Sequence, residues 1–217
     1  HEKYGQNPGL SENDRLFYNT ASALNFGSNS GGAFINDTLV NQGEGLNYGL
    51  EVTAQKTFTR HSYYLITASV YESLYRIRDG AWGSTLYNGN FVLNAVAGKE
   101  FPMGPDRKNL FGMSLKLLWA GGRRFTPLDM EASRQEGEAV PDYAQPFAQR
   151  VPHYARLDVG LRYRINYAES AFIISLDIQN LTNRLNAYTQ SYNATRQELV
   201  WITQSGLIPV LNLRYEF

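Results

Sequence analysis

The sequence predicts an all-β fold built from consecutive antiparallel strands. Three observations predict it: apolar and polar residues alternate at period two over several runs, the composition favours strands and turns, and the connections alternate between short and long. Aromatics make up 13% of the 217 residues, with 15 Tyr and 11 Phe, and Gly reaches 19. Aromatic and β-branched side chains fit a pleated surface, while Gly and Asn supply turns.

Residues 1–44 are polar and rich in Gly, Asn and Ser, and read as a loop region ahead of the strands of 45–217. In the first run Leu46, Tyr48, Leu50, Val52 and Ala54 alternate with Asn47, Gly49, Glu51, Thr53 and Gln55. In 62–77 Ile66, Ala68 and Val70 oppose Thr67, Ser69 and Ser73. In 90–101 Phe91, Leu93, Ala95 and Ala97 face away from Asn94 and Gly98. The clearest run is 110–120, with Phe111, Met113, Leu115, Leu117 and Trp119 on one face. In 156–165 Leu157, Val159, Leu161, Tyr163 and Ile165 alternate with Asp158, Gly160, Arg162 and Arg164. Phe172, Ile174, Leu176 and Ile178 form the next stripe, and Leu211, Leu213, Tyr215 and Phe217 the last. That makes about seven strands at this periodicity, with no amphipathic helix of useful length. Met113, Leu115, Leu117, Leu157, Val159, Leu161, Ile174, Leu176, Leu211 and Leu213 are expected on one face of one sheet. Lys116, Asp158, Arg162, Asp177 and Arg214 are expected on the other.

Short links join the first and second strands at Thr59-Arg60-His61, the third and fourth at Pro102–Asn109, and the fifth and sixth at Asn166–Ala171. The longer 78–89 and 121–153 join the second to the third and the fourth to the fifth. Pro127, Pro141, Pro146 and Pro152 exclude a central strand from 121–153. Short turns on one rim and long loops on the other are the pattern of a transmembrane β-barrel, short side periplasmic and long side extracellular. On this reading 1–44 is an extracellular loop region. Phe58, Tyr63, Tyr64, Phe101, Phe111, Tyr167, Phe172, Tyr215 and Phe217 fall at short-turn ends. Tyr48, Tyr75, Phe91, Trp119, Tyr188 and Trp201 fall nearer long-loop ends, as two interfacial aromatic girdles require. A soluble barrel would turn the apolar face inward instead; loops and girdles favour lipid outside. An odd number of crossings is not a whole up-and-down barrel with both ends periplasmic, so the chain is read as part of one.

Composition removes other classes. With 20 basic and 20 acidic residues the net charge is zero, which gives no electrostatic case for nucleic acid. There is no Cys, so no disulfide framework or thiolate metal site is available. No apolar run is long enough for a membrane helix, and no signal segment is visible. The opening His1-Glu2-Lys3, without Met, reads as a processed or truncated piece of something longer.

Several segments resemble TonB-dependent outer-membrane receptors. Leu207-Ile208-Pro209-Val210-Leu211-Asn212-Leu213-Arg214-Tyr215-Glu216-Phe217 resembles their closing strand, and Leu176-Asp177-Ile178-Gln179-Asn180-Leu181-Thr182-Asn183 the signature of the preceding one. Gly45-Leu46-Asn47-Tyr48-Gly49-Leu50-Glu51 is similar to a recurrent strand opening. Asn88-Gly89-Asn90-Phe91-Val92-Leu93-Asn94, Ala97-Gly98-Lys99-Glu100-Phe101 and Gly121-Gly122-Arg123-Arg124-Phe125-Thr126-Pro127 also match. The matches span roughly 43–217 and most resemble receptors with an N-terminal carboxypeptidase-regulatory-like domain. The resemblance implies a 22-stranded transporter with a plugged lumen in the bacterial outer membrane. Its expected partners are outer-membrane lipid and lipopolysaccharide, the TonB energy-coupling system and a plug through an N-terminal part, the barrel-assembly machinery, and a surface lipoprotein. The family's plug, energy-coupling box and earlier strands have no counterpart in these residues. Leu213, Tyr215 and Phe217 are the expected barrel-assembly signal.

Chemistry is sparse. His1, His61 and His153 are scattered, and no activated Ser or paired carboxylate accompanies His153, so no catalytic residue, metal ligand or cofactor is assigned and the chain is not expected to be an enzyme. Asp129, Glu131, Glu136, Glu138 and Asp142 lack the ordered spacing of a Ca²⁺ loop and read as a solvated surface. The sequons at Asn36, Asn180 and Asn193 read as accidents. Arg123 and Arg124, where a strand leaves the outer leaflet, are candidates for lipopolysaccharide phosphate or an anionic ligand, with loop anchoring as the plainer role. Trp82 and Tyr87 could stack on a ligand or simply pack. A protease outside the cell is expected to cut the mobile 121–152 and spare 102–109. The leading functional expectation is part of an importer of a scarce solute such as an iron chelate, vitamin, oligosaccharide or peptide. The alternatives are a smaller outer-membrane barrel acting as adhesin or passive pore, and a soluble β-sandwich binding module.

Overall fold

The computed structural model describes residues 43–77, 80–142 and 144–217. The expected loop of 1–44 lies outside the described residues except for Gly43 and Glu44, which already belong to the first strand. The long strands are β1 (Gly43–Thr59), β2 (Ser62–Ile77), β4 (Phe91–Met103), β5 (Asn109–Ala120), β8 (Tyr154–Asn166), β9 (Ala171–Gln179) and β12 (Ile208–Glu216). These are the runs where period-two alternation predicts strands. Between them lie β3 (Gly83–Ser84), β6 (Arg124–Phe125), the helix α1 (Met130–Glu136), β7 (Gln149–Arg150), β10 (Ala187–Asn193) and β11 (Glu198–Thr203).

The long strands form one antiparallel sheet in the order β1-β2-β4-β5-β8-β9-β12, with β3 paired to β2. Each strand on this path lies beside its predecessor, so alternate connections fall on the same rim. The short rim carries the turns at Arg60-His61, 104–108 and 167–170; the long rim carries 80–90, 121–142, 144–153 and 180–207. Every additional element among the described residues is on the long rim. At the first short turn Arg60 and His61 have φ of 52° and 59°, the pair of positive angles that matches a hairpin's twist.

Register places the two expected residue sets on opposite faces. Met113, Leu115 and Leu117 oppose Leu161, Val159 and Leu157, while Leu161 opposes Leu176, and Leu176 and Ile174 oppose Leu211 and Leu213. Directly opposed residues share a face, so the expected apolar set is one stripe. Lys116 opposes Asp158, and Asp177 opposes Gly160 two residues from each of Asp158 and Arg162. Arg214 opposes Ile173, which shares the Asp177 face. The charged set is therefore the other stripe.

Among the described residues the sheet is a single layer, open at both edges because β1 and β12 each have one neighbour, and no closed barrel is formed. Its apolar stripe is uncovered, with Leu50 66% and Leu211 64% exposed. Of the buried apolar residues, Tyr75, Val140, Phe147, Val151 and Tyr192 gather at the long rim, and Ala171 and Ile173 lie on β9 near the short rim. At the long rim the 121–153 connection, expected as a mobile loop, is built. Asp129 caps α1 by accepting from the Glu131 and Ala132 amides at 2.9 and 3.0 Å. Gly137, at φ 73°, closes it. Fully buried Ser133 accepts the Val140 amide at 3.0 Å. The helix escaped the sequence pattern because seven residues are too few for its period to register. It also moves the expected protease site: Arg123, Arg124 and Arg150 lie in backbone pairing, and exposed Arg134 on α1 is the accessible arginine.

Aromatics keep much of their expected geography. Phe91 and Trp119 meet edge-on at 5.0 Å on the apolar stripe near the long rim, with His153 against Phe91 at 5.3 Å. Phe101 and Phe111 stack at 6.3 Å near the short rim. Tyr75 departs from its girdle position: it is buried on the opposite face against Phe147. Tyr188 and Trp201 also depart, because β10–β11 forms a separate ribbon.

Candidate functional site

The long rim is tied together at Gly121-Gly122-Arg123-Arg124-Phe125. A Cβ on Gly121 would strike the Gly89 carbonyl, and one on Gly122 the Val151 carbonyl, so both positions require glycine for the backbones to approach. The approach is sealed by hydrogen bonds. The Gly121 amide donates to Phe91 O at 2.9 Å, the Arg124 amide to Leu86 O at 3.0 Å, and the Val151 amide to Arg123 O at 3.1 Å. Three connections meet at this one segment.

The two arginines diverge from here. Arg123 Nη2 donates to the Tyr188 carbonyl at 2.6 Å, and its guanidinium lies 4.5 Å from the centre of the Tyr188 ring. It latches the β10–β11 ribbon, as Phe125 does by packing edge-on against Trp201 at 5.8 Å. Arg124 points into the rim, where Nη1 donates to Ala148 O at 3.3 Å and Nε is buried without a partner. Burial and then the charge of Arg150 pull its guanidinium below the ordinary arginine value, with Glu72 acting in the opposite sense. Both arginines hold loop backbone, Arg123 at the Tyr188 carbonyl and Arg124 at the Ala148 carbonyl, and Arg124 has in addition a buried nitrogen without a partner.

Trp82 remains exposed and faces Arg76, whose guanidinium sits 4.9 Å from the ring centre and pairs with Glu44 at 2.6 Å. Tyr87 is exposed, and its carbonyl accepts the Tyr71 hydroxyl at 3.1 Å. Trp82 is thus engaged by Arg76, while the Arg124 amide reaches the Leu86 carbonyl, the residue before Tyr87. The structure adds a polar knot that sequence reasoning missed. Asn88, 1% exposed, donates to Glu72 at 2.8 Å and to Ser84 at 3.0 Å, and accepts the Ser73 amide at 3.1 Å. Asn90, at φ 72°, donates to Glu72 at 2.6 Å. The Asn88-Gly89-Asn90 segment was a visible signal, but nothing local shows that it folds onto Glu72.

The closing strand has a second constellation. Leu213, Tyr215 and Phe217 are exposed on one face, with the Tyr215 and Phe217 rings 6.3 Å apart. On the other face Glu216 pairs with Arg164 at 2.8 Å and Arg214 at 3.1 Å, tying β12 across β9 to β8. At the far end of β9, Asn180 (φ 52°) receives an internal fixation. Its amide donates to Asp158 at 2.9 Å and its side chain to the Arg184 and Ser205 carbonyls at 2.9 and 3.2 Å. Asn183 accepts the Leu207 amide at 2.9 Å. The Asn180-Leu181-Thr182-Asn183 motif thus fixes the entry of the closing strand, a structural use that leaves Asn180 buried.

Asp129 and Asp142 act as caps, the latter accepting the Ala144 amide at 3.0 Å, and among the described residues no cluster of three metal-ligating side chains occurs. No helix among the described residues is long and apolar enough to cross a membrane, which says nothing of crossing by strands. No protein-family model, curated protein or solved structure matches this chain.

Proposed function

We propose that these strands are part of the wall of a larger outer-membrane barrel, the 22-stranded transporter type, and that the whole protein imports a scarce solute with energy from TonB. The observation that carries the reading is the uncovered apolar stripe running unbroken across all the long strands of a single-layer sheet. A contiguous apolar surface of this extent is tolerated where lipid covers it. The opposite face carries charge that is paired within the sheet, such as Arg156–Asp158 at 2.6 Å and Arg164–Glu216 at 2.8 Å, as suits a wet lumen. The two open edges are where the remaining strands would pair. The transporter assignment, as distinct from the barrel, rests on the sequence resemblance.

The test uses the full-length protein. It is expected to fractionate with the outer membrane, to migrate as a heat-modifiable band, to be retained by the immobilised periplasmic domain of TonB, and to show no steady conductance in planar bilayers. Steady conductance without TonB retention would replace the importer with a passive pore, and surface attachment without either would favour an adhesin. Recovery in the soluble fraction would favour a binding module. On intact cells, trypsin should cut at Arg134 and spare 102–109.

A further inference from the structure

Two guanidinium groups leave the same face of the β6–β7 ribbon. Arg124 and Arg150 are directly opposed, and the Val151 amide donates to Arg123 O at 3.1 Å. Arg124–Arg150 is therefore the non-hydrogen-bonded pair, the class in which side chains come closest. Like charges opposed in this way destabilise a ribbon unless an anion lies between them. Among the described residues, no carboxylate forms an ion pair with either group. Glu72 acts on Arg124 at longer range, but its oxygens receive the Asn88 and Asn90 amides at 2.8 and 2.6 Å. What remains is the buried Arg124 Nε–H with nothing to donate to, beside a second, half-buried arginine.

We propose that Arg124 and Arg150 form a binding site for a phosphate oxyanion at the long-loop rim, the ligand lying between the two opposed guanidinium groups. A guanidinium presents a fork matched to two phosphate oxygens, and a phosphate has enough oxygens and charge to serve two forks. The site differs from the arginine pair that adjacency in sequence suggests. Arg123 is committed to Tyr188, and the partner of Arg124 is instead Arg150, brought opposite by the return of the chain. The phosphate has two possible sources, the lipopolysaccharide headgroup or a free phosphorylated solute. The site rests on the ribbon's geometry and not on the transport reading; only the lipid source requires an outer-membrane location.

The experiment takes the full-length protein in detergent and titrates it with inorganic phosphate against chloride at constant ionic strength, and separately with lipopolysaccharide in mixed micelles. R150Q removes one fork, R124K keeps the charge but not the fork, and R134Q removes an equal charge from exposed α1. Tryptophan emission and protease pattern check that each variant is folded. The wild type is expected to bind, R150Q and R124K to bind about tenfold or more weakly, as for loss of charge-assisted hydrogen bonds, and R134Q to bind as the wild type. Binding of phosphate alone assigns a solute, and binding of lipopolysaccharide alone assigns the headgroup. No binding of either, or the same loss in R134Q as in R150Q, overturns the proposal.

Discussion

The sheet and the rim that caps it are held together by different means. In the sheet, side chains of the apolar stripe stand beside their cross-strand neighbours, and the backbone ladder supplies the order. At the rim, Tyr75 packs on Phe147, Ser133 and Asn88 are fully enclosed, and glycine lets backbones touch. The rim encloses its apolar side chains; the sheet leaves its apolar stripe exposed on one side. A substitution should therefore act through the surrounding solvent in the sheet and through packing at the rim.

The largest expected effect is on the apolar stripe. Leu115→Arg, at the middle of β5, should destabilise the folded full-length protein in lipid vesicles by about 2–4 kcal/mol, the cost of arginine on a lipid face at midplane. Its neighbour Lys116→Leu, on the opposite face, should change stability far less. Urea titration followed by tryptophan fluorescence measures both. A Leu115→Arg change within about 0.5 kcal/mol, as for an ordinary water-exposed site, would remove lipid from that face.

Next is the end of the closing strand. Deleting Phe217 should lower the assembled protein far more than Phe217→Tyr does. Strand addition to the insertion machinery uses backbone hydrogen bonds for pairing and alternate side chains for specificity, and Leu213, Tyr215 and Phe217 are the exposed alternate side chains. Membrane-inserted protein is compared with periplasmic aggregate; equal insertion of the deletion and the wild type would end the signal reading.

At the rim, Gly122→Ala places a methyl against the Val151 carbonyl. Neither backbone can yield without breaking the Val151–Arg123 hydrogen bond. The cost should be about 1–3 kcal/mol, as for overpacking, and it should stay local. Faster tryptic cutting within 121–152 with an unchanged heat-modifiable band is the expected result. Loss of the folded band would mean that rim and sheet fold as one unit.

Legibility followed the same division. Strands, face assignment and loop asymmetry were readable because each is a local period or a run of turn residues. Leu115 and Lys116 declare their faces by their neighbours alone. The rim was not readable in this way. Arg150 meets Arg124, Asn88 meets Glu72, and Tyr188 meets Arg123 across separations that carry no periodicity. The α1 helix is too short to show its pattern, and β10–β11 falls in a connection whose polar residues resemble a loop. Glycines 121 and 122 were visible as a motif, but the carbonyls that require them come from elsewhere in the chain.

The smallest expected effect tests whether the rim itself has separable parts. The β10–β11 ribbon pairs with no strand of the main sheet. Two ring contacts hold it to the rest of the rim: Arg123 over Tyr188 and Phe125 against Trp201. Tyr188→Ala removes the first ring while leaving the Arg123 hydrogen bond to the Tyr188 carbonyl available, because that acceptor is backbone. The cation–π share at a half-exposed site is about 0.5–1 kcal/mol, too little to unfold anything. It is enough to raise the open population of a locally closed element several-fold, since 1.4 kcal/mol is about a factor of ten. Amide exchange should therefore quicken across 187–203 and remain unchanged in β5 and β8. Tyr188→Phe, which keeps the ring, should restore the slow exchange. If Tyr188→Phe exchanges as fast as Tyr188→Ala, the phenol oxygen and not the ring face holds the ribbon. If neither changes exchange, the Arg123 hydrogen bond to the residue-188 carbonyl and the Phe125–Trp201 contact hold the ribbon without the cation–π contact.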